Sequence, residues 1–140
     1  MAEDCIFCGI VAGDIPGRIV KETDHSIAFL DANPLAPGHT LVVPKQHYER
    51  LHDVPGDETA ELFGAVHELS ASVEDAVDAD AVSIGINDGE AAGQEVPHTH
   101  VHLVPRFEGD GGAPFHAIAP EGEQPSDAEL DAIAEAIRDK

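Results

Sequence analysis

The sequence has few positive charges, few cysteines, few aromatic residues and no long apolar segment. Seven Lys and Arg residues stand against 28 Asp and Glu residues, which gives a formal net charge of −21. Electrostatic binding to nucleic acid or to an anionic membrane is therefore not expected, because both partners would be negatively charged. No apolar run approaches the ~20 residues that a membrane helix needs. Two cysteines cannot build a disulfide framework.

The chain length predicts one compact domain. A domain typically has ~100–200 residues, so a chain of 140 residues is expected to form a single domain over residues 1–140. Residues 1–5 contain no basic or apolar segment of the kind that begins a secretory signal. We therefore expect a cytoplasmic protein without nucleic-acid or membrane partners.

The excess of acidic residues has two interpretations. Because 42% of the residues are hydrophobic and the apolar segments are periodic, the composition is not that of a disordered chain. The acids could form an ordinary soluble surface, although a net charge of ~2–8 in magnitude is enough for solubility. The larger excess favours a halophilic protein, since a salt-rich cytoplasm screens the self-repulsion of an acidic surface.

The hydrophobic period locates one long helix and several short strands. A helix is predicted at about 57–77 from apolar residues at the 3.6-residue period, namely Leu62, Val66, Leu69, Val73 and Val77. Strands are predicted at 18–22, 26–31, 40–43, 81–86 and 96–107. A short helical turn at 5–12 precedes them. Strand pairs joined by short turns, with one long helix between them, favour an α+β fold with an antiparallel sheet.

The C-terminal part of the sequence predicts a loop and a helix. Residues 108–125 are rich in Gly and Pro and are expected to form a surface loop. Ser126 and Glu129 have the spacing of a capping box, which begins a final helix. The apolar face of this helix consists of Leu130, Ile133, Ala134 and Ile137.

Three histidines alternate in one predicted strand. The period of two places His98, His100 and His102 on one face, with Thr99 and Val101 on the other. The three could form an incidental polar face or bind a metal. They could also support nucleophilic catalysis at phosphorus, because imidazole with a pKa near ~6.5 is largely neutral at pH ~7. A covalent intermediate would divide one difficult displacement into two easier ones.

The segment before the histidines favours chemistry at phosphorus. Residues 87–94 are rich in turn formers, and glycines there allow backbone N–H groups to surround an anion. Asn87 and Gln94 add neutral side-chain donors. Beside three histidines, this segment predicts a phosphate-binding loop.

With these motifs in place, the chain resembles the histidine-triad (HIT) family, in its prokaryotic Hint- and Fhit-like hydrolase branch. The resemblance covers about residues 4–107, while 108–140 match no motif. The matching segments are Cys5-Ile6-Phe7-Cys8, Phe29 with Asp31, Gly38 to His47, Asn87 with 93–96, and His98 to Val104. The resemblance implies an α+β fold with a five-stranded antiparallel sheet and a homodimer. It also implies hydrolysis or transfer at the α-phosphate of a nucleotide.

The resemblance also assigns roles to individual residues. By matching position, His100 would be the catalytic nucleophile, and His102 would be a second catalytic residue that hydrogen-bonds the phosphate or leaving group. The phosphate site would comprise Asn87, Gly93, Gln94, Val96 and His102. Asp31 would bind the ribose hydroxyls. The base would lie among Ile6, Phe7, Ile10, Phe29 and Leu41, although Phe7, Ile10 and Leu41 could equally be plain core residues.

Two departures and one match refine the resemblance. Thr99 replaces an apolar residue, but it is β-branched and suits a strand. Glu95 occupies a position where many family members carry Ser or Thr. Because a carboxylate repels phosphate, Glu95 is not counted as a ligand. The transferase branch carries Gln at the position of His102, so His102 favours hydrolysis.

The two cysteines have two interpretations. Cys5 and Cys8 could form a redox pair or half of a zinc site, and no thioredoxin-like βαβ pattern supports the redox role. The resemblance supplies His47 and His98 as two further ligands. A zinc ion with four protein ligands would be structural, because no position remains open for water.

The sequence therefore predicts a nucleotide hydrolase with no organic cofactor. Its substrates would be nucleoside phosphoramidates, acyl- or aminoacyl-nucleotides, or dinucleoside polyphosphates, cleaved at the α-phosphate through a nucleotidyl-His100 intermediate. The alternatives are a nucleotidyltransferase of the same superfamily and a non-catalytic module that binds nucleotide or zinc.

Overall fold

The computed structural model describes residues 4–139. Residues 1–3 and 140 lie outside this range. They include both ends of the predicted domain and the start of the segment, residues 1–5, in which no secretory signal is predicted. The described residues form five strands and three α-helices. The strands are β1 (Ile19–Glu22), β2 (Ser26–Leu30), β3 (Thr40–Pro44), β4 (Ala81–Gly85) and β5 (Val101–Arg106). The helices are α1 (Ile6–Ala12), α2 (Gly56–Val77) and α3 (Asp127–Arg138).

The five strands form one antiparallel sheet in the order β1-β2-β3-β5-β4. Helix α2 connects β3 to β4, and β5 then returns between these two strands. In the β3–β5 pair, Leu41 lies opposite His102 and Val42 lies opposite Val101. The predicted α+β fold with a five-stranded antiparallel sheet is therefore confirmed.

Helix α2 covers one face of the sheet with an apolar cluster. The period of two turns Val101 and Leu103 of β5 toward this face, and both are fully buried. The predicted apolar stripe of α2 packs against them. The cluster comprises Ala28, Val42, Leu62, Ala65, Val66, Leu69, Val73, Val101 and Leu103.

The opposite face of the sheet is covered by α1. Cys5 caps this helix, because its Sγ accepts a hydrogen bond from the backbone N–H of Cys8. Gly13 ends it at φ 84°, a conformation that favours glycine. Phe7 lies edge-on to Phe29 at 5.5 Å between ring centres. The buried residues here are Cys5, Phe7, Ile27, Phe29, Leu41 and Val43.

Strand β5 begins at Val101, five residues later than the sequence predicts. Strand β4 ends near this point, since its last residue, Gly85, lies opposite His102. The pairing of β5 with β3 begins at Val101, opposite Val42, while β3 itself continues to Pro44 in its pairing with β2. Residues 98–100 are held by other bonds. The backbone N–H and the hydroxyl of Thr99 both donate to the carbonyl of Tyr48, at 2.7 and 3.1 Å.

The C-terminal segment lies on the surface, as predicted. The capping box is present, since Ser126 Oγ accepts from the backbone of Glu129 and the Glu129 carboxylate accepts from the backbone of Ser126. The apolar side chains of α3 remain exposed, with Ile137 at 69%. Within residues 4–139, no helix combines the length and apolar character needed to cross a bilayer.

Candidate active site

A cavity of about 520 Å³ lies on the α1 face of the sheet. This volume falls within the range of ~300–1,000 Å³ that is usual for small-molecule sites. Almost all residues predicted to contact a nucleotide border it, namely Ile6, Phe7, Ile10, Phe29, Asp31, Leu41, Asn87, Gly93, Val96, His100 and His102. The structure therefore brings together residues from α1, β2, β3, the loop before β5 and β5 itself.

His100 has one ring nitrogen available for chemistry. Its Nδ1 lies 2.7 Å from the backbone carbonyl oxygen of His98. A carbonyl can only accept, so Nδ1 carries the hydrogen and Nε2 carries the lone pair. Burial lowers the pKa of His100, which keeps the ring neutral at pH ~7. Phe7 packs edge-on against this ring at 5.0 Å between ring centres and fixes its orientation.

His102 is oriented by a histidine that the sequence argument left without a role. The backbone N–H of Leu35 donates to Nδ1 of His39 at 3.1 Å, so the hydrogen of neutral His39 lies on Nε2. That Nε2 donates to Nδ1 of His102 at 3.0 Å. His102 must then carry its own hydrogen on Nε2. Burial lowers the pKa of His102 to about 4, so the ring is a neutral donor at pH ~7.

The signal for His39 was present in the sequence. His39 lies in the matched segment that begins at Gly38, but sequence alone did not show what its ring contacts. The ring is 2% exposed and bridges two segments that are 63 residues apart. Its partners became visible only when β3 and β5 were placed side by side.

The Asp31, His39 and His102 side chains also have the donor atoms of a metal site. Their donor atoms lie within 4.8 Å of one another. A metal on Nε2 of His39 would move that ring's hydrogen to Nδ1, where it would oppose the N–H of Leu35. The proton positions therefore favour a hydrogen-bonded chain here over a metal centre.

Gln94 holds the loop before β5 in place. Its Oε1 accepts from the backbone N–H of Gly89 at 2.8 Å. Its Nε2 donates to the carbonyls of Glu49 at 2.8 Å and Val96 at 3.1 Å. Both amide hydrogens are used in this way, and the side chain does not border the cavity. A phosphate contact by Gln94 stays a prediction, while its contacts support a role in shaping the loop.

A second cluster lies beside the cavity and consists of Cys5, Cys8, His47 and His98. Their donor atoms lie within 4.8 Å of one another. The Sγ of Cys5 is 3.4 Å from Nδ1 of His98, and the Sγ of Cys8 is 3.4 Å from Nδ1 of His47. Tetrahedral zinc, with Zn–S of ~2.3 Å and Zn–N of ~2.0 Å, separates such ligand atoms by ~3.5 Å. The spacing of the four residues therefore fits zinc.

The tautomer of His98 also fits a metal. Its Nε2 donates to the backbone carbonyl of Pro44 at 2.8 Å, so the lone pair of Nδ1 faces the two thiols. Burial lowers the pKa of His98 to about 4 and raises the pKa of Cys8 to about 11. The neutral imidazole is ready to ligate, whereas the Cys8 thiol needs a cation to displace its proton.

Comparisons with known proteins agree with this geometry. The HIT domain model matches residues 12–109. The chain belongs to the HIT family. An uncharacterized HIT-like protein of Methanocaldococcus jannaschii is 49% identical over 107 residues, which cover 76% of this chain and 82% of that protein.

Two further HIT proteins bear on function and on the metal. Adenylylsulfatase HINT3 of Arabidopsis thaliana is 38% identical over 110 residues, covering 79% of this chain and 56% of that protein. The structure of a zinc-bound histidine triad family protein from Mycobacterium smegmatis aligns over 100% of both chains. It has a TM-score of 0.74 and 31% identity. These matches support a hydrolase-type enzyme, and the family includes a protein that binds zinc.

Proposed function

We propose that this HIT protein hydrolyses nucleotides at the α-phosphate through a covalent intermediate on His100. One observation carries the proposal. The lone pair of His100 Nε2 is available in a cavity that is also bordered by His102, Asn87 and the loop before β5. The backbone of His98 fixes that tautomer, so the nucleophile is ready before substrate binds.

The first step forms a bond between His100 Nε2 and the α-phosphorus. The bond to the leaving group breaks, and its electron pair departs with the leaving atom, which takes up a proton from solvent. His102 donates a hydrogen bond from Nε2–H to the phosphate oxygen or to the departing atom and keeps its proton, because its other nitrogen is engaged by His39. Donors fixed in advance in this way stabilise developing charge at little cost.

The second step returns His100 to its starting state. Water attacks the phosphorus, the P–N bond breaks, and its electron pair returns to Nε2. The attacking water releases one proton to solvent, which balances the proton consumed in the first step. The net products are a nucleoside monophosphate and the protonated leaving group.

The remaining cavity residues fit the nucleoside. Asp31 follows β2 and borders the cavity, where its carboxylate would accept hydrogen bonds from the ribose hydroxyls. Phe29 and Leu41 offer an apolar floor, and Ile6 is 53% exposed on α1 above it. Such a slot accepts a purine by shape and apolar contact.

Nucleoside phosphoramidates and dinucleoside polyphosphates are the proposed substrate classes. The name of the Arabidopsis relative, adenylylsulfatase, supports hydrolysis at an adenylyl group. Nucleotidyl transfer would require a second substrate in place of water. His102 supports hydrolysis, since the transferase branch of the family carries Gln at this position.

Zinc at the Cys/His cluster is proposed to be structural. Cys5, Cys8, His47 and His98 would hold it, and the ion would tie the start of α1 to the segment before β5. As a Lewis acid, the ion would bind the four ligands and hold them together. Phe7 contacts both His98 and His100, so the position of the nucleophile depends on this cluster.

The single domain, the homodimer, the halophilic character and the cytoplasmic location complete the proposal. The exposed apolar face of α3 and Ile84 on the edge strand β4, 43% exposed, offer surface for a second copy. Two free cysteines suit a reducing compartment. Sedimentation as a monomer would contradict the proposed dimer. A Tm that does not rise with KCl concentration would contradict the proposed halophilic character.

The direct test is release of AMP from adenosine 5′-phosphoramidate. We expect turnover by the wild type and none above background from His100→Ala. His116→Ala is the matched control, because His116 lies in the exposed C-terminal loop and should keep full activity. Equal rates for wild type and His100→Ala would contradict the proposal. Retention of AMP without turnover would favour a binding module.

A further inference from the structure

Three permanently charged residues border the cavity, and they are unevenly placed. They are Arg18, Asp31 and Glu95. Arg18 precedes β1, whereas the nucleophile precedes β5, and three strand spacings of ~4.8 Å separate these strands by ~14 Å. Within residues 4–139, the only Lys or Arg on the cavity border therefore lies at the nucleoside end. In the same part of the chain, the end that holds the nucleophile has a carboxylate, Glu95, and no Lys or Arg.

Glu95 is held at this place by its neighbours. Gly93 and Val96 on either side of it also border the cavity. The amide of Gln94 fixes this stretch through the carbonyls of Glu49 and Val96. Glu95 therefore borders the same cavity as the nucleophile, His100.

Nearby cations are already paired with other carboxylates. Arg50 lies behind the loop and contacts Asp88 at 3.3 Å, and Lys45 contacts Glu22 at 2.7 Å. Neither borders the cavity. Among residues 4–139, no hydrogen bond or ion pair engages the Glu95 side chain, which is exposed at the mouth of the cavity. Its charge is therefore free to act on whatever departs from the α-phosphate.

This arrangement treats the possible leaving groups differently. A polyphosphate leaving group would bring several negative charges toward Glu95 with no Lys or Arg beside it. A leaving group that contains an ammonium would bring the opposite charge. Coulomb energy between unit charges a few ångströms apart near a protein surface is large enough to alter relative rates several-fold.

We propose that Glu95 determines leaving-group specificity, so that the enzyme favours positively charged amine leaving groups and disfavours polyphosphates. This inference rests on the proposed function. For a phosphoramidate made from a diamine, the P–N bond breaks and its electron pair stays on the amine nitrogen, which takes a proton from solvent. The second, remote ammonium keeps its charge throughout and lies near Glu95 as the amine departs.

Three substrates test the inference. They are adenosine 5′-phosphoramidates of 1,4-diaminobutane and of pentylamine, which match in length and differ in charge, and diadenosine tetraphosphate. At low salt we expect the wild type to favour the cationic amide over the neutral one by about 3- to 30-fold in kcat/KM. Added salt at 1 M, with a Debye length of ~3 Å, should reduce this ratio toward one.

Two carboxylate-to-amide variants isolate the residue. Glu95→Gln should bring the cationic-to-neutral ratio close to one and raise the rate with diadenosine tetraphosphate. Glu90→Gln removes the same charge from the same loop, but Glu90 does not border the cavity, so the wild-type ratio should remain. Both positions are exposed, and Tm values of the variants confirm that they fold.

The outcomes separate the two levels of the proposal. A ratio that Glu95→Gln leaves unchanged, or that Glu90→Gln lowers equally, contradicts a specific role for Glu95 while the hydrolase stands. Wild-type turnover without charge preference contradicts it as well. Absence of turnover with all three substrates contradicts the proposed hydrolase, and this inference falls with it.

Discussion

The two faces of the sheet are made by the same strands but carry opposite chemistry. On the α2 face, Val101 and Leu103 of β5 lie in a fully apolar cluster. On the α1 face, His100 before β5 and His102 within it border the cavity. The period of two lets adjacent residues serve the core and the site separately. Substitution of Val101 or Leu103 should therefore reduce stability, and substitution of His100 or His102 should reduce activity.

Leu103→Ala and His100→Ala provide the largest expected contrast. Leu103 is fully buried, so its truncation should lower the free energy of unfolding by about 2–5 kcal/mol. His100→Ala should change this free energy by about 1 kcal/mol, because it removes one hydrogen bond, but should lower kcat by about 1,000-fold or more. Chemical denaturation and initial rates on both variants measure the two effects. Similar losses of stability would contradict the division between faces.

The metal cluster is where the division between faces should be weakest. Removal of the proposed zinc with a chelator, or Cys8→Ser, should lower Tm by about 5 °C or more. Activity should fall too, because Phe7 packs on both His98 and His100. Differential scanning fluorimetry and elemental analysis check this prediction. Chelator should have no further effect on Cys8→Ser, and an unchanged Tm in metal-depleted wild type would contradict it.

His39 should affect activity through His102. His39→Ala removes the donor to His102 Nδ1, so the His102 hydrogen is no longer fixed on Nε2. One such bond is worth ~1–3 kcal/mol, so kcat should fall by about 10-fold or more while KM changes little. His39→Gln should restore part of the rate, because its amide can accept from Leu35 and donate to His102. Equal rates for the Ala and Gln variants would contradict this positioning role.

The smallest expected effect concerns an exposed contact on the α2 side. Glu61 of α2 accepts hydrogen bonds from Thr23 and from the backbone and ring of His25. These bonds lower the pKa of Glu61 from 4.5 to about 2, and the bond to Glu61 raises the pKa of His25 above 6.5. The stabilisation from Glu61 is present above pH 4.5 and is lost as the pH falls toward 2. That from His25 is present below pH 6.5 and is lost as the pH rises through its raised pKa.

The two effects overlap between pH 4.5 and 6.5. The Tm difference between wild type and His25→Gln should therefore be largest in that window, with no change in activity. Thermal melts from pH ~3 to ~9 measure it, and salt should reduce it because the pair is exposed. A difference that increases steadily toward pH ~9 would contradict the assignment.

The sequence predicted the apolar face better than the polar one. The stripe on α2 follows from the helical period alone, because burial needs only apolar side chains at the right spacing. The alternation from His98 to His102 predicted a shared face, and the rings of His100 and His102 lie 4.9 Å apart between their centres. The spacing of Cys5 and Cys8 predicted half of a metal site, and the resemblance supplied His47 and His98. The structure places the donor atoms of all four residues together.

Contacts between distant segments escaped prediction. The hydrogen bond from the Gln94 amide to the carbonyl of Glu49, a residue 45 positions away, was not predicted. The bond from His39 to His102 depends on the pairing of β3 with β5. The start of β5 depends on where β4 ends and on where the pairing with β3 begins. Each is a matter of tertiary proximity, which local patterns do not encode.

The most direct test of the account is intact-mass spectrometry of the protein during turnover. The protein is mixed with adenosine 5′-phosphoramidate, and the reaction is then quenched rapidly without acid. The account predicts an added adenylyl mass on wild type during turnover, located to His100 by peptide mapping and absent from His100→Ala. Release of AMP with no adduct on His100 at any quench time, or an adduct that survives in His100→Ala, would contradict covalent catalysis by this residue.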